Sequence, residues 1–397
     1  MEATETGSLE YSGRTITMNE RYQGALVEIF NTGVFRGNIL KLDLKSMYPS
    51  IMIVLNLSPE SVHFVAKNSY TGEYRMTPGR TDMEVPDKML GQIIVTIDQE
   101  DSISRQELVK LMAERDNVRA RTDLTSQEKE SMQLAIKVIM NALYGYNGLE
   151  FSRYGSFLVA ILTTAIGRLM MQTMINECKK IDGIVLIEAD TDGLMIQNNT
   201  ELDILAIMNE KIQILFEGFT HQKKIRIDTD KYDGVLSSKM KNYVLLHKNE
   251  VIFKGASFHG RHLPAVCDKY LVALAKDIFA GKSDTQKPMY SQLDIEDFVM
   301  TVELKKDPSQ YKLATSLYAK LAKQVKGVEW GDEIRYVKAK NSYVPMGSIP
   351  ESEIELDYDY YDKRIEKMAV RLLEVLPGYV KPEKKRRKKK QVTLDGD

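Results

Sequence analysis

Residues 184–198 read IVLIEADTDGLMIQN: an apolar run, an acidic turn closed by Gly193, and a second apolar run. Two apolar runs around a short polar turn predict a β-hairpin, and its tip carries Asp190 and Asp192. Residues at i and i+2 of a strand point the same way, so these two carboxylates can converge. Upstream, GNILKLD (37–43) is another apolar run that ends on an acid, Asp43, where a charge is costly unless it is paired or holds a metal. Carboxylates on rigid strand ends suit Mg²⁺, which takes one or two of them and completes its shell with water and substrate phosphates. Two such ions about 3.5–4 Å apart clamp the attacking and leaving oxygens of a phosphoryl transfer. A further acidic turn, Asp228-Thr229-Asp230, lacks the apolar frame and reads as mainly structural, with Asp228 kept as an outer candidate.

The segment between the two acidic sites supplies partners for a phosphate. SMYPSI (46–51) follows Asp43 directly; Pro49 turns Tyr48 away from helical geometry, and backbone N–H groups opening a helix there would cradle phosphates. Residues 104–123 read as a charged helix with Leu108, Leu111 and Met112 on one face. Residues 125–146 read as a second helix, with Ser126 as the N-cap of a capping box. Joined by a short turn, the two pack as an antiparallel hairpin. Lys137, Asn141 and Tyr144 fall at i, i+4 and i+7 on one stripe of the second helix, with Gly145 directly after. Arg115 and Arg119 form a cationic stripe on the first helix, and facing Arg and Lys make a phosphate clamp.

Elsewhere the pattern predicts a buried helix over 157–180, strands near 91–98, 223–232 and 241–255, and a mostly helical remainder after Gly255. In that remainder, 264–281, 307–325 and 359–376 read as helices and 334–344 as a short strand-like patch. A length of 397 residues suggests two or three domains. Two cysteines without a CxxC and five scattered histidines exclude a disulfide framework and a Cys/His zinc site. No uninterrupted apolar run approaches the roughly 18 residues of a membrane span, and the polar start is not a signal peptide. The expected location is the cytoplasm, with no membrane partner. Residues 381–390 (KPEKKRRKKK) carry +7 within an overall −1, leaving −8 on the rest. Such a block marks an arm that meets nucleic acid or another polyanion.

Taken together, these motifs resemble those of the family B (α-like) DNA polymerases. LDLKSMYPSI resembles motif A, DxxSLYPS, with Met47 in place of Leu; KVIMNALYG matches motif B, KxxxNxxYG; ADTDG matches the DTD core of motif C. Their order is the family's. ERDNVR resembles a finger-helix ERxxxK segment with Arg119 for Lys, RYQGALV resembles the YxGG segment before the palm, and KMKNYVLL resembles the primer-contacting KKRY with Met240 and Asn242 substituted. The resemblance runs from about Tyr22 to the C-terminus and is nearest to archaeal members. Two departures stand at motif C: the family has an aromatic residue where Glu188 stands and Ser where Gly193 stands.

The resemblance implies an α+β right-hand polymerase with an antiparallel-sheet palm, helical-hairpin fingers and a mostly helical thumb. Residues 1–13 would be a flexible N-terminus, 14–103 and 149–256 the palm, 104–148 the fingers, 257–380 the thumb, and 381–397 a basic tail. It implies template-directed addition of dNMP to a primer 3′-hydroxyl with two Mg²⁺ ions, for which Mn²⁺ can substitute. Asp43 and Asp192 would bridge the metals, supported by Asp190 and the Leu44 carbonyl. Arg115, Arg119, Lys137 and Asn141 would grip the dNTP together with Ser46 and Met47. Tyr144 would flank the nascent base pair, and Tyr48 would exclude a 2′-hydroxyl. Gly145, Lys241, Tyr243 and Lys254 would contact primer–template DNA.

The family's N-terminal and 3′–5′ exonuclease domains precede the palm. The chain starts almost at the palm, so the expectation is no proofreading in this chain and a separate polypeptide supplying those domains. QVTLDGD at the end resembles the start of a sliding-clamp box, with Gln391 and Leu394 in place. Two rival readings are a non-catalytic DNA-binding or scaffolding subunit of a split polymerase and, more remotely, a DxD-type glycosyltransferase.

Overall fold

The computed structural model describes residues 9–11, 14–16, 22–76, 82–149, 152–217, 225–255, 258, 263–282, 293–311 and 316–379. The chain divides into two compact units, Met1–Asn31 with Gly37–Tyr232, and Thr32–Arg36 with Asp233–Asp397.

The first unit holds β1 (Leu9–Tyr11), β2 (Arg14–Ile16), β3 (Val27–Ile29), most of β4 (Gly33–Leu44), α1 (Met47–Val54), β5 (Val62–Asn68), β6 (Arg75–Met76), β7 (Asp82–Asp87) and β8 (Gly91–Ile97). It continues through α2 (Ile103–Ala120), α3 (Ser126–Asn147), α4 (Phe157–Lys179), β9 (Ile184–Asp190), β10 (Gly193–Asn198), α5 (Ile204–Leu215) and the start of β11 (Ile227–Lys239). Its main sheet runs β11-β4-β10-β9-β3, and a second sheet runs β5-β8-β7-β6. Alternation along the strands sets the two faces of the main sheet. Leu40, Leu42 and Leu44 of β4, Leu194 and Ile196 of β10 and Ala189 of β9 belong to one core together with the apolar residues of α4. Lys41 and Asp43 therefore occupy the opposite face.

Helix α4 is apolar nearly all round, and 17 of its 23 residues are buried, as expected of a helix enclosed by protein. It is long and apolar enough to cross a membrane, yet 83% of its most apolar window is packed inside the protein. A buried charge anchors it. Arg168 donates to the Gln23, Gly24 and Pro86 carbonyls and lies 3.7 Å from Asp87, which is fully buried and accepts from the Gln23, Met89 and Leu90 N–H groups.

The second unit holds the rest of β11, β12 (Asn242–His247), β13 (Glu250–Lys254), α6 (Ala265–Phe279), β14 (Met300–Glu303), α7 (Leu317–Ala322), β15 (Glu333–Lys338), β16 (Tyr343–Pro345) and α8 (Tyr358–Leu373). Its strands form β13-β12-β11 and β14-β15-β16. Its core gathers around Leu271, Phe298, Tyr336, Tyr361 and Leu372.

Antiparallel sheets with helices packed on them bear out the α+β class. Three local readings need correction. Tyr48 is helical: Ser50 N–H donates to the Ser46 carbonyl at 2.9 Å, and Pro49 sits in the first turn of α1, where its missing N–H would have had no helical partner. The N-cap of α3 is Thr125, not Ser126, because only Thr125 stands three residues before Glu128, and the two exchange cap bonds. After Gly255 the 334–344 patch is indeed strand, β15 and β16, but β14 joins them in a three-stranded sheet that was not expected, and within 307–325 the described helices are only a 3-10 turn over Pro308–Gln310 and the short α7. At four residues β14 leaves too little alternation to stand out from helical patterning.

Candidate active site

Three strand ends meet in the first unit. Gly193 of β10 pairs opposite Asp43 of β4 and also opposite Asp190 of β9. The two-residue turn between β9 and β10 bends through Thr191, whose φ of +59° is left-handed. Its far end is tied back to β4, since Leu44 N–H donates to the Asp192 carbonyl at 2.7 Å. The acidic turn is thus locked beside the end of β4, which brings Asp43 and Asp192 to the floor of one cleft of about 650 Å³. A Cβ at Gly193 would come 2.7 Å from Asp43 Oδ1. The missing side chain there gives the Asp43 carboxylate its room.

The site is electrostatically tense. Asp192 reaches solvent, but crowding by protein and then the charge of Asp43 raise its carboxyl above the usual range. Lys41, two residues before Asp43 on the same strand face, donates to both Asp43 oxygens at 2.8 Å. Two carboxylates and the Leu44 carbonyl offer a donor set of oxygens alone, which fits a hard divalent cation. Among the described residues no cluster of three or more His, Cys, Asp or Glu is gathered for a metal. The donor set is therefore the sparse kind that water and a ligand complete, rather than an all-protein cage.

Helices α1, α2 and α3 build the opposite wall. Arg115, Arg119, Lys137, Asn141 and Tyr144 all line the cleft, as do Ser46, Met47 and Tyr48. Arg115 donates to Ser46 Oγ at 3.0 Å, while its buried Nε has no hydrogen-bond partner. Burial, and then Arg119, lower its pKa, so this guanidinium sits where an anion would relieve it. Arg119 is held by Gln133 and Asp116. The Tyr48 and Tyr144 rings pack with centroids 4.3 Å apart. Burial, with Asp192 second, pushes the Tyr48 hydroxyl up to about 12, so it stays protonated at neutral pH. Burial raises Tyr144 as well, and Tyr144 hydrogen-bonds Tyr22. Gly148 is needed here, because a Cβ would lie 2.9 Å from the Tyr22 hydroxyl.

Other sequence-derived candidates stand apart from the cleft lining. Asp190 closes β9 and accepts from Thr191 Oγ1. Gly145 lies on the last turns of α3. In the second unit, Lys241 forms the left-handed turn between β11 and β12, and Tyr243 pairs directly with Lys254 across β12 and β13. Gln391 and Leu394 lie outside the described residues. Conversely, Lys41, Lys45 and Thr191 line the cleft without having been singled out from sequence, and Asp228 lines it too, 3.9 Å from Lys45. The signal for Lys41 was its i, i+2 spacing to Asp43.

Comparison with known proteins fits this geometry. The profile of DNA polymerase family B matches residues 5–376. The DNA polymerase of Thermococcus gorgonarius is 25% identical over 414 residues, covering 94% of this chain and 50% of that protein. DNA polymerase 1 of Sulfurisphaera ohwakuensis is 27% identical over 384 residues, covering 89% and 42%. The DNA polymerase alpha catalytic subunit of Leishmania donovani is 23% identical, covering 90% and 29%. The chain thus spans between about a third and a half of the length of these relatives. In fold it is similar to the family B DNA polymerase of Pyrobaculum calidifontis, with a TM-score of 0.60 and 22% identity over 91% of this chain and 48% of that one. With nearly its whole length matched by the family profile, this chain belongs to DNA polymerase family B.

Proposed function

We propose that this chain carries the polymerising centre of a DNA-directed DNA polymerase, adding the dNMP of a dNTP to a primer 3′-hydroxyl on a template. The observation that carries this reading is the single cleft in which Asp43 and Asp192 face Arg115, Arg119, Lys137 and Asn141, with Tyr48 and Tyr144 beside them. Anion-binding side chains opposite paired carboxylates are what transfer of a metal-bound phosphoryl group requires.

Asp43, Asp192 and the Leu44 carbonyl would hold two Mg²⁺ ions, with Asp190 supporting from the end of β9. When bound, such ions neutralise charge on the phosphates and lower the pKa of the attacking hydroxyl. Arg115 and Arg119 on α2 and Lys137 and Asn141 on α3 bind and orient the triphosphate, with pyrophosphate leaving on their side. Ser46 keeps Arg115 in place. Tyr48, backed by Tyr144, presents a ring where a ribose 2′-hydroxyl would need space, and this selects dNTP over NTP. Lys241, Tyr243, Lys254 and Gly145 hold primer–template. In this reading 14–103 and 149–256 are the palm, 104–148 the fingers and 257–380 the thumb.

Primer extension with Mg²⁺ on a short primer–template, beside Asp192→Ala, tests the proposal. Template-directed dNTP incorporation, reduced at least about 10³-fold in Asp192→Ala, is the expected outcome. DNA binding without any extension by the unaltered chain would overturn the catalytic reading in favour of a scaffolding role.

A further inference from the structure

Five cations line the cleft, Lys41, Lys45, Arg115, Arg119 and Lys137, and they differ in what holds them. Lys41 donates to Asp43, Arg115 to Ser46, and Arg119 to Gln133 and Asp116. Among the described residues, the ammonium groups of Lys137 and Lys45 have no hydrogen-bond acceptor. Lys137 stands on the helical wall; Lys45 rises from the floor. The Lys45 backbone is fixed twice: its N–H donates to the Arg226 carbonyl at 2.9 Å, and its carbonyl accepts from Ser50 Oγ at 3.0 Å. The first bond carries strand geometry one residue past the end of β4, so Lys45 shares a sheet face with Asp43. Its one ion-pair partner among the described residues is Asp228, 3.9 Å away, with side chains 33% and 66% exposed. That pair is too long for a hydrogen bond and too wet to hold firmly. Asp230, two residues further along β11, is hydrogen-bonded to Tyr232 instead.

We propose that Lys45 is a further phosphate-binding residue: from the floor of the cleft its ammonium holds the β- and γ-phosphates of the dNTP, the two that leave as pyrophosphate. The inference rests on the cleft being a dNTP site, as proposed above. Position selects those phosphates. The α-phosphate must lie at Asp43 and Asp192, where transfer occurs, and the sugar at Tyr48 and Tyr144. The rest of the triphosphate runs towards Arg115, which is tied to Ser46 at 3.0 Å, and Ser46 directly follows Lys45. Two residues of strand set the Lys45 backbone about 7 Å from that of Asp43, beside the leaving phosphates rather than the reacting one. A lysine suits this place, because its compact charge meets a phosphate oxygen without the fixed planar geometry of an arginine. Arg115 and Lys137 hold the leaving group from the helices, and Lys45 holds it from the sheet.

The test is equilibrium binding of nucleotide to the full chain with Mg²⁺ and a primer–template whose primer ends in a dideoxynucleotide, so that nothing is incorporated. A 2-aminopurine in the template reports binding of the complementary dNTP; the corresponding dNMP and inorganic pyrophosphate are measured as competitors. The fold of every variant is checked by circular dichroism. The unaltered chain comes first. If it binds no complementary dNTP, the polymerase reading itself is wrong, and the inference falls with it.

If it does bind, Lys45→Met should hold dNTP and pyrophosphate about tenfold more weakly, the scale of one charge-assisted hydrogen bond. The same variant should hold dNMP within about twofold of the unaltered chain, since dNMP lacks the two phosphates that Lys45 meets. Lys45→Arg should recover dNTP binding to within about threefold, because the charge is kept. Lys45→Met combined with Asp228→Asn restores the net charge of the pair, yet it should stay at least about fivefold weak, because contact and not net charge is lost. Binding of dNTP by Lys45→Met within about twofold of the unaltered chain overturns the proposal. So does an equal loss for dNTP and dNMP, which would place Lys45 away from the leaving phosphates. Full recovery in the double variant also overturns it and leaves Lys45 as a neutraliser of Asp228.

Discussion

Tyr48 and Asp192 show how much a single side chain at this cleft owes to its surroundings. Tyr48 is half-buried against Tyr144, with Met47 and Tyr48 both in close approach to Gly167 of α4. The ring is therefore wedged rather than swinging, and its size should decide sugar selection. Tyr48→Val should raise incorporation of ribonucleotides relative to deoxyribonucleotides by about 10², the scale on which a pocket rejects an added hydroxyl; competition between dNTP and NTP in primer extension measures it. Asp192 carries the opposite kind of strain. Crowding and Asp43 raise its folded pKa above that of the unfolded chain, so the folded state holds the proton longer. That contribution is fully present below the unfolded value, about 3.9, and is lost as pH rises through the folded value. Asp192→Asn should therefore melt higher than the unaltered chain at neutral pH in chelator, by less than about 1 kcal/mol because the side chain reaches water. The two melting curves should converge at acid pH.

At the scale of elements, the wall of the cleft depends on how α4 and the segment before β3 are pinned. Arg168 and Asp87 form a buried pair that also satisfies three carbonyls and three N–H groups. Among them are the carbonyls of Gln23 and Gly24, which follow Tyr22, and Tyr22 in turn meets Tyr144 and packs edge-on to Phe157. Removing one partner leaves a buried charge without compensation. Arg168→Met should cost about 3–5 kcal/mol in urea unfolding and weaken dNTP binding through the released Tyr22–Tyr144 contact, whereas replacing a fully exposed arginine such as Arg121 should leave the unfolding midpoint nearly unchanged. The helical hairpin shows local and global signals agreeing. Thr125 and Glu128 cap α3, Ser102 caps α2, and Leu108, Val118, Ile136 and Met140 join the core, leaving Lys137 and Asn141 exposed. That agreement is why the 125–146 helix could be read within a residue of its start.

Across the whole molecule, charge bears on how the proposed polymerase would hold DNA. A net charge of −1 with 55 basic residues means that attraction to a polyanion must come from local concentration of cations, as at the cleft wall and in residues 381–390. Binding to primer–template, followed by fluorescence anisotropy, should then weaken at least about tenfold between 50 and 200 mM salt, as released counterions demand; a flat response would contradict phosphate-based holding. The motifs of the cleft were legible because each is a local pattern: an acid closing an apolar strand, a polar stripe at helical spacing, an acidic turn between two apolar runs. Asp43, Asp192, Arg115, Lys137, Asn141 and Tyr48 could be named that way, and the cleft gathers them. What sequence could not supply was anything that depends on register between strands distant along the chain. Pairing of β4 with β10 places Gly193 against Asp43, and pairing of β10 with β9 puts Glu188 in the row of Lys41. The 334–344 patch was legible as strand, but its partner β14 and the pairing that makes a sheet of them were not, because a few alternating residues gain their meaning only from the neighbours they pair with. The sequence by itself thus determined which side chains could do the chemistry. The tertiary structure decided which of them share a cleft and which cation faces Asp43, since hydrogen-bond register joins residues that no local pattern connects.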